Sequence, residues 1–416
     1  MNTIFAIIAA LSMPAILFVE SSSAQSSESP NPNLNLTQKL NFRFISGNRA
    51  EGIPFQVCDN TILIQARVNG SKPLWVIFQP SSFLTAIDTK LADELKLEMG
   101  GRRNTNSHSI TRSVGEYRRF SFYLPNVELF NQVAVPFDGD GNSRWFGRKV
   151  SGVIGYEALK DFVIEIDHEN SIINLYRPDN YDHPVSGEAV PFVYKDGRIE
   201  IKTTVSINKD NIVEGQFALG SDSPTEAILI NTPFVNDHQI MDVINEKQVS
   251  LLDSATTYIT RMESLSLGQY ILHSPTVRIS RTVRGEGGRE DYDGAIGGEV
   301  LRRFKLVIDF PHESLYLEPN KYFSDPFEVD MSGLILIANG PEYSEFVVWG
   351  VLASGPAASA GIQKGDKLIM ISGSNAKELG LEQIRNMFRE SDREFSLVIK
   401  RGDTTINIKL KTKRFL

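Results

Sequence analysis

Apolar and polar residues alternate through most of residues 50–323, and this alternation predicts a chain built mainly from β-strands. The predicted strands are short runs of β-branched and aromatic residues between Gly, Asn, Asp and Pro turns, as at 62–68, 74–78, 163–167 and 172–176. Helices are predicted to be few. One begins after Asp88, and its later counterpart begins after Asn231, where Pro233 suits the first helical turn.

This pattern occurs twice along the chain. Residues 152–175 align without a gap on 294–317, at a constant offset of 142, and nine of the 24 positions are identical. A short polar turn between two apolar strands also recurs, at Gln79 and at Gly220. Self-similarity at a fixed period indicates a repeated structural unit. We therefore predict a first lobe (50–182) and a second lobe (187–323) that bring their equivalent turns face to face.

The last ninety residues have a different pattern and predict a third unit with both strands and helices. Strands are predicted at 333–337 and 346–351, and a small-residue helix at 354–361 ends at a glycine. An amphipathic helix is predicted at 381–389. We call residues 327–416 the C-terminal unit.

The N-terminus resembles a secretory signal peptide. An apolar run at 4–19 is followed by small polar residues, which predicts cleavage after Ala24 and export to the periplasm or the medium. The alternative is an uncleaved N-terminal membrane anchor, for which the run is short. Residues 25–49 are mostly rich in Ser, Pro and Asn and predict a flexible leader. After removal of the signal, no membrane span is expected.

Charge and composition exclude several classes of function. The net charge of −8 argues against a nucleic-acid-binding protein, which needs a basic face. The single cysteine, Cys58, lies in an alternating apolar segment, so a buried structural thiol is predicted rather than a catalytic one. No metal-ligand spacing or cofactor motif is present. His168 falls at a predicted hairpin turn and is expected to be solvated, and Asp167 and Asp309 are expected to form hydrogen bonds within their hairpin turns. Residues 138–142 only faintly resemble the start of a calcium loop, and an ordinary loop is predicted there.

The segment SGPAASAGIQKGDKLIMISG (354–373) is similar to the bacterial PDZ pattern of a small-residue helix and two Gly-containing turns. The resemblance implies a domain that binds a peptide C-terminus or an extended chain as an added strand. The alternative is a groove that is closed or packed on the lobes. The implied peptide-binding residues are a carboxylate loop, a pairing strand and a helix face: Ser332, Gly333, Leu334, Ile335, Leu336, Leu381, Ile384 and Phe388.

The two lobes resemble the two-lobed bacterial aspartyl proteases of the retropepsin and pepsin type. The resemblance rests on the paired strand–turn segments and on two apolar-apolar-Gly motifs, 153–155 and 295–297, which resemble the motif that braces each catalytic turn in that fold. It implies a mainly β, bilobal acid-protease fold followed by an α/β PDZ domain. The family motif Asp-Thr/Ser-Gly would fall on Gln79-Pro80-Ser81 and on Gly220-Ser221-Asp222.

Both catalytic Asp positions are therefore substituted, by Gln79 and Gly220, and the only acid nearby is Asp222. Aspartic proteases need two carboxylates that share one proton. The sequence thus favours a catalytically inactive, exported protein that binds peptides or proteins, through the PDZ domain and as extended chains in the cleft between the lobes. The alternative is an aspartic-type endopeptidase with a non-standard active site.

Overall fold

A computed structural model describes residues 40–82, 84–107, 110–182, 187–195, 197–220, 227–244, 249–251, 254–280, 292–352 and 355–414. The predicted signal peptide lies outside these residues, as do most of the leader, Ser221, Asp222 and residues 281–291. Within the described ranges the protein is mainly β, as the alternation predicted.

The first lobe consists of long antiparallel hairpins and short parallel strands, with few helices. The helices are α1 (Thr89–Glu94), α2 (Gly139–Phe146) and α3 (Tyr156–Leu159), and a 3-10 turn spans Pro178–Asn180. The strands, including one that precedes the lobe, are β1 (Phe42–Phe44), β2 (Arg49–Cys58), β3 (Thr61–Val68), β4 (Leu74–Phe78), β5 (Ala86–Asp88), β6 (Glu98–Ser107), β7 (Ile110–Leu124), β8 (Val127–Phe137), β9 (Val150–Ile154), β10 (Val163–Asp167) and β11 (Ile172–Tyr176).

The second lobe begins and ends with the same elements as the first, but its middle part has more strands. Its described helices are α4 (Thr232–Asp237), α5 (Ile240–Val243) and α6 (Gly298–Leu301). Its described strands are β12 (Glu188–Lys195), β13 (Arg198–Asn208), β14 (Asn211–Leu219), β15 (Ile228–Ile230), β16 (Val249–Leu251), β17 (Ser254–Arg261), β18 (Ser264–Leu267), β19 (Tyr270–His273), β20 (Thr276–Ser280), β21 (Gly294–Ile296), β22 (Phe304–Asp309) and β23 (Ser314–Pro319).

The C-terminal unit is a separate small sheet with three helices in its described part. These are α7 (Pro356–Ser359), α8 (Ala376–Leu379) and α9 (Leu381–Phe388), with a 3-10 turn at Pro341–Tyr343. The strands are β24 (Leu334–Asn339), β25 (Glu345–Val351), β26 (Lys367–Ile371), β27 (Ser374–Asn375), β28 (Glu394–Arg401) and β29 (Thr404–Lys411).

Strand pairing is the same in the two lobes. The strand before the polar turn pairs in parallel with the strand that ends in Ile-Gly, as β4 with β9 and β14 with β21. The strand after the turn pairs antiparallel with that same strand, as β5 with β9 and β15 with β21. The sequence repeat is therefore also a repeat of backbone topology.

The lobes share one antiparallel sheet of six strands in the order β2-β11-β10-β22-β23-β12. At its centre Glu165 pairs with Val307, its own equivalent 142 positions later. A pseudo-two-fold axis therefore passes through this pair. Ile164 and Ile166 of β10 point to one face of the sheet and join the core that runs through both lobes.

Several local predictions are confirmed. Asp88 caps α1 by accepting a 3.0 Å hydrogen bond from the Leu91 N–H. Asp167 and Asp309 bind backbone N–H groups within their hairpin turns. Cys58 is a free, buried thiol.

Two local predictions are wrong. The expected loop at 138–142 is the start of helix α2, capped by Asp138 and ended by Gly147 at φ 67°. His168, expected in a solvated turn, is only 8% exposed because it lies on the same inward face of the hairpin as Ile166.

Candidate functional site

The two polar turns are braced by equivalent parts of their own lobes. The backbone N–H of Gln79 donates to the carbonyl of Ile154 at 3.0 Å, and that of Gly220 donates to the carbonyl of Ile296 at 2.9 Å. These acceptors are repeat equivalents in the two Ile-Gly motifs. The motifs predicted to support the turns therefore do so in both lobes.

The turns also bind each other directly across the boundary between the lobes. The side-chain Nε2 of Gln79 donates to the carbonyl oxygen of Gly220 at 2.8 Å, and the Ser81 hydroxyl lies 3.4 Å from the same oxygen. Both partners of the bond between Gln79 and Gly220 are uncharged, so the contact between the turns does not depend on an ionised side chain. The structure thus brings Gln79 and Gly220 together, as the repeat predicted.

Gly220 has a backbone conformation that suits glycine. Its φ is 65°, in the left-handed region, and a Cβ added there would overlap with Oγ of Ser81. An acidic side chain at this position would require both a strained backbone and displacement of Ser81. Asp222, the nearby candidate acid, lies outside the described residues.

A cavity of about 100 Å³ lies between these turns and the six-stranded sheet. Its described lining is mostly apolar and includes no carboxylate. Two buried polar atoms at this cavity, Oε1 of Gln79 and Nδ1 of His168, have no hydrogen-bond partner in the described part of the protein. The site can therefore accept a hydrogen bond at Gln79, but Gln79 itself cannot transfer a proton.

His168 lines the cavity, whereas its position at a predicted hairpin turn indicates a solvated side chain. Burial, with a smaller contribution from the nearby Arg302 charge, lowers its pKa to about 4, so the imidazole is neutral near pH 7. The rings of His168 and Phe55 pack in a T-shaped arrangement, with their centroids 5.4 Å apart. The alternation of Ile164, Ile166 and His168 was the signal that could have placed it inside.

The predicted carboxylate loop of the C-terminal unit is occupied by its own chain. The N–H groups of Ser332 and Gly333 donate to Oδ1 of Asp330 at 2.8 and 3.0 Å. The Leu334 N–H donates to the Ser332 hydroxyl at 3.0 Å. Burial raises the pKa of Asp330 to about 6, against the opposite effect of these hydrogen bonds. An incoming carboxylate would have to displace Asp330.

Most of the predicted groove side chains lie in the core of the C-terminal unit. Ile384 and Phe388 have no exposed surface, and Phe388 packs edge-on against Phe395 with the ring centroids 5.3 Å apart. Leu334, Leu336 and Leu381 join the same cluster. Ile335 instead packs with an apolar cluster of the first lobe. Ile384 and Phe388 are therefore buried as long as this arrangement is kept.

Helix α2 of the first lobe covers this groove between β24 and α9. Arg385 of α9 donates from Nη2 to the Leu336 carbonyl of β24 at 2.9 Å. Its guanidinium carbon lies 4.5 Å from the ring centroid of Trp145 on α2. The backbone of Gly147 also approaches Leu381, since a Cβ on Gly147 would lie 3.1 Å from the Leu381 Cβ.

Polar contacts surround this apolar junction. Oε2 of Glu382 lies 3.4 Å from Sγ of Cys58 and accepts the Asp59 N–H at 3.2 Å. The Trp145 indole N–H donates to Asp59 at 2.9 Å, and the Tyr343 hydroxyl lies 3.1 Å from Oδ1 of Asp140. Burial raises the pKa of the Cys58 thiol, so it is unreactive while the junction is closed.

Comparison with known proteins identifies the C-terminal unit. Residues 335–400 match the family model of the PDZ domain. The C-terminal unit is a PDZ domain. No curated protein matches the chain. Within the described residues, no helix is long and apolar enough to cross a membrane, and no group of three or more His, Cys, Asp or Glu side chains could hold a metal ion.

Solved structures with similar parts include two seed proteins and a protease. Basic 7S globulin from soybean is 8% identical, with 65% of this chain and 95% of that chain covered and a TM-score of 0.39. Conglutin gamma from lupine seeds is 10% identical, with 68% and 98% covered and a TM-score of 0.43. The photosystem II D1 C-terminal processing protease is 25% identical over 20% of this chain, with a TM-score of 0.19. This chain covers 23% of that protease.

Proposed function

We propose that the two lobes are an aspartyl-protease-like shell without proteolytic activity, and that the protein acts by binding peptides or proteins. The observation that carries this proposal is the 2.8 Å hydrogen bond from the Gln79 side-chain amide to the Gly220 carbonyl. It occupies the place where the resemblance to the protease family puts two catalytic carboxylates.

The chemistry of this contact differs from that of an aspartic protease. Two nearby carboxylates share one proton, so that one activates water and the other donates to the substrate carbonyl. An amide and a backbone carbonyl do not titrate, and the Gln79 Nε2 donates directly to the Gly220 carbonyl. The substitution thus preserves the contact between the lobes while removing the acid and the base.

Binding is proposed at two places, the PDZ domain and the cleft between the lobes. The PDZ assignment supports a protein-binding or protease-associated role, because such domains take peptide ends or extended segments. Export is proposed from the N-terminal sequence, with cleavage after Ala24. Sequencing of the mature N-terminus in an exported fraction should begin at Gln25, and a retained residue 1 would contradict cleavage.

A protease assay tests the loss of catalysis. The full chain is incubated with an unfolded protein between pH 3 and 7, with and without pepstatin. We expect no cleavage above that of a sample without the protein. Cleavage that pepstatin blocks would overturn the proposal in favour of an endopeptidase with a non-standard site. In that case Asp222→Asn shows whether the acid nearest to Gly220 is responsible.

A further inference from the structure

We propose that segment 138–147 of the first lobe is the resident ligand of the PDZ groove, so that an external chain binds only after the PDZ domain separates from the lobe. The proposal builds on the peptide-binding role given above and specifies how that role is regulated. It rests on the contacts that the first lobe makes with β24 and α9. Contacts within the PDZ domain itself, at the sheet edge and in the carboxylate loop, then indicate what kind of ligand the groove takes.

The two elements that border the groove, β24 and α9, are already in contact with the first lobe. On the face of β24 that points away from the PDZ core, Ile335 and Ile337 belong to the same apolar cluster as Trp145 and Phe146 of α2. On the opposite wall, Arg385 lies over the Trp145 ring. Trp145 is 6% exposed, so it is covered nearly as fully as a core residue. An external segment between β24 and α9 would have to displace it.

One of the outward-facing backbone groups at the edge of the sheet is already bound. β24 is an edge strand that pairs with β25 alone among the described strands. Val348 lies opposite Leu336 on β25, but its N–H donates to the backbone carbonyl of Asp366. The Leu336 carbonyl therefore receives no hydrogen bond from Val348 and faces outward at the edge. Nη2 of Arg385 donates a hydrogen bond to the Leu336 carbonyl at 2.9 Å. Strand addition needs such outward-facing carbonyls, so a peptide competes with Arg385 here.

The carboxylate loop is closed in the same way, since Asp330 holds the N–H groups of Ser332 and Gly333. A free C-terminal carboxylate therefore adds little to binding unless Asp330 moves.

The closed groove favours a ligand that is recognised by its side chains. Its chemistry follows from the resident segment, which places Trp145 against Arg385 and has Asp140 near Tyr343. The expected ligand class is a segment with an aromatic residue close to an acidic one.

Cys58 reports the closed state because it is the single cysteine of the chain and is 1% exposed at this junction. Its Sγ lies near the Phe146 carbonyl on one side and Glu382 on the other. The rate at which a thiol reagent labels Cys58 in the native full chain therefore measures how often the junction opens. Labelling of the unfolded chain supplies the reference rate.

Two variants should open the junction from opposite sides, Trp145→Ala from the lobe and Arg385→Ala from the PDZ domain. Each loses a desolvated cation–π contact, and labelling should become about tenfold faster or more. Both variants break the same contact, so their effects should not be independent. The fold-increase in the Cys58 labelling rate of the double variant should therefore be smaller than the product of the fold-increases of the two single variants. Arg393→Ala is the matched control, since Arg393 lies over Phe395 within the PDZ domain and should label as wild type. Circular dichroism melts check that each variant is folded.

Peptide binding completes the test. The probe is a fluorescent peptide of residues 138–149 with an amidated C-terminus. We expect Trp145→Ala, which keeps the groove residues but loses the side chain that covers Arg385, to bind the probe at least about tenfold more tightly than wild type. Measurable binding that is equally tight in the two proteins, or labelling of Cys58 that neither variant changes, would overturn the proposal. Faster labelling without any peptide binding would support the closed groove and contradict the peptide-binding function itself.

Discussion

Gln79 and Gly220, equivalent residues of the two lobes, are joined by a 2.8 Å hydrogen bond from a side-chain amide to a backbone carbonyl. Each turn is also held by its own lobe, through the carbonyls of Ile154 and Ile296. The bond therefore connects two rigid supports and contributes to how the lobes meet. A side-chain amide at position 79 can donate this hydrogen bond, whereas an ionised carboxylate at the same position could not.

Replacing Gln79 by Glu should destabilise the protein near neutral pH. A carboxylate has no proton to donate, so it would face the Gly220 carbonyl in a buried site, at a cost of about 1–3 kcal/mol. Below its raised pKa the new side chain would be protonated and could donate again. The cost should therefore shrink in acid, which denaturant unfolding at pH 7 and at pH 4 would measure.

Ser81→Ala is the control for that change, because the Ser81 hydroxyl lies at a weaker 3.4 Å from the same carbonyl. It should cost less than the Gln79 variant at both pH values. An equal cost for the two variants would show that the Gln79 amide is not the main contact between the turns.

Gly152 and Gly294 should be equally intolerant of alanine. A Cβ on Gly152 would overlap with the Ala86 carbonyl, and one on Gly294 would overlap with the Leu229 carbonyl. Both obstacles are backbone atoms of a paired strand, so each substitution should cost about 3 kcal/mol. Gly70→Ala is the control, since nothing lies within 4 Å of a Cβ there. Thermal unfolding of the three variants tests the equivalence of the lobes.

The pH dependence of stability should carry a contribution from His168. Its pKa is about 4 in the folded state and 6.5 in the unfolded chain, so the unfolded chain binds more protons between these values. This contribution is fully present above about pH 6.5 and is lost as the pH falls toward 4, by at most about 3 kcal/mol. Unfolding of His168→Gln should depend less on pH across this range. His273→Gln, at an exposed hairpin, controls for the loss of a histidine, and an equal change in both variants would contradict the assignment.

Arg303 should anchor the connection between the second lobe and the PDZ domain. It has no exposed surface, donates to backbone carbonyls of Tyr322, Phe323, Asp325 and Pro326, and lies over the Phe327 ring at 3.7 Å. Arg303→Ala would leave these carbonyls without their donor and would remove one of the two arginines that bind Glu299, at a cost of about 3 kcal/mol or more. Arg302→Ala, at a partly exposed neighbour, should cost less. Protease sensitivity of the 322–327 segment measures the difference.

Local sequence predicted much of the secondary structure. Strands β4, β10 and β11 have the predicted bounds because alternation and turn residues agree there. Helix α2 was missed because its sequence, GDGNSRWF, contains two glycines and has low helix propensity. It is stabilised instead by burial of Trp145 and Phe146 in a cluster that includes Ile337 of the PDZ domain. That support comes from residues almost two hundred positions away.

The sequence by itself determined the mainly β character, the duplication and the absence of acids at Gln79 and Gly220, since each depends only on residue identity and spacing. Tertiary structure alone decided what surrounds these residues. It placed the Gln79 amide on the Gly220 carbonyl, put His168 inside the protein and laid α2 over the PDZ groove. Contacts such as Cys58 with Glu382, 324 positions apart, follow from how packed surfaces fit together, which no local pattern contains.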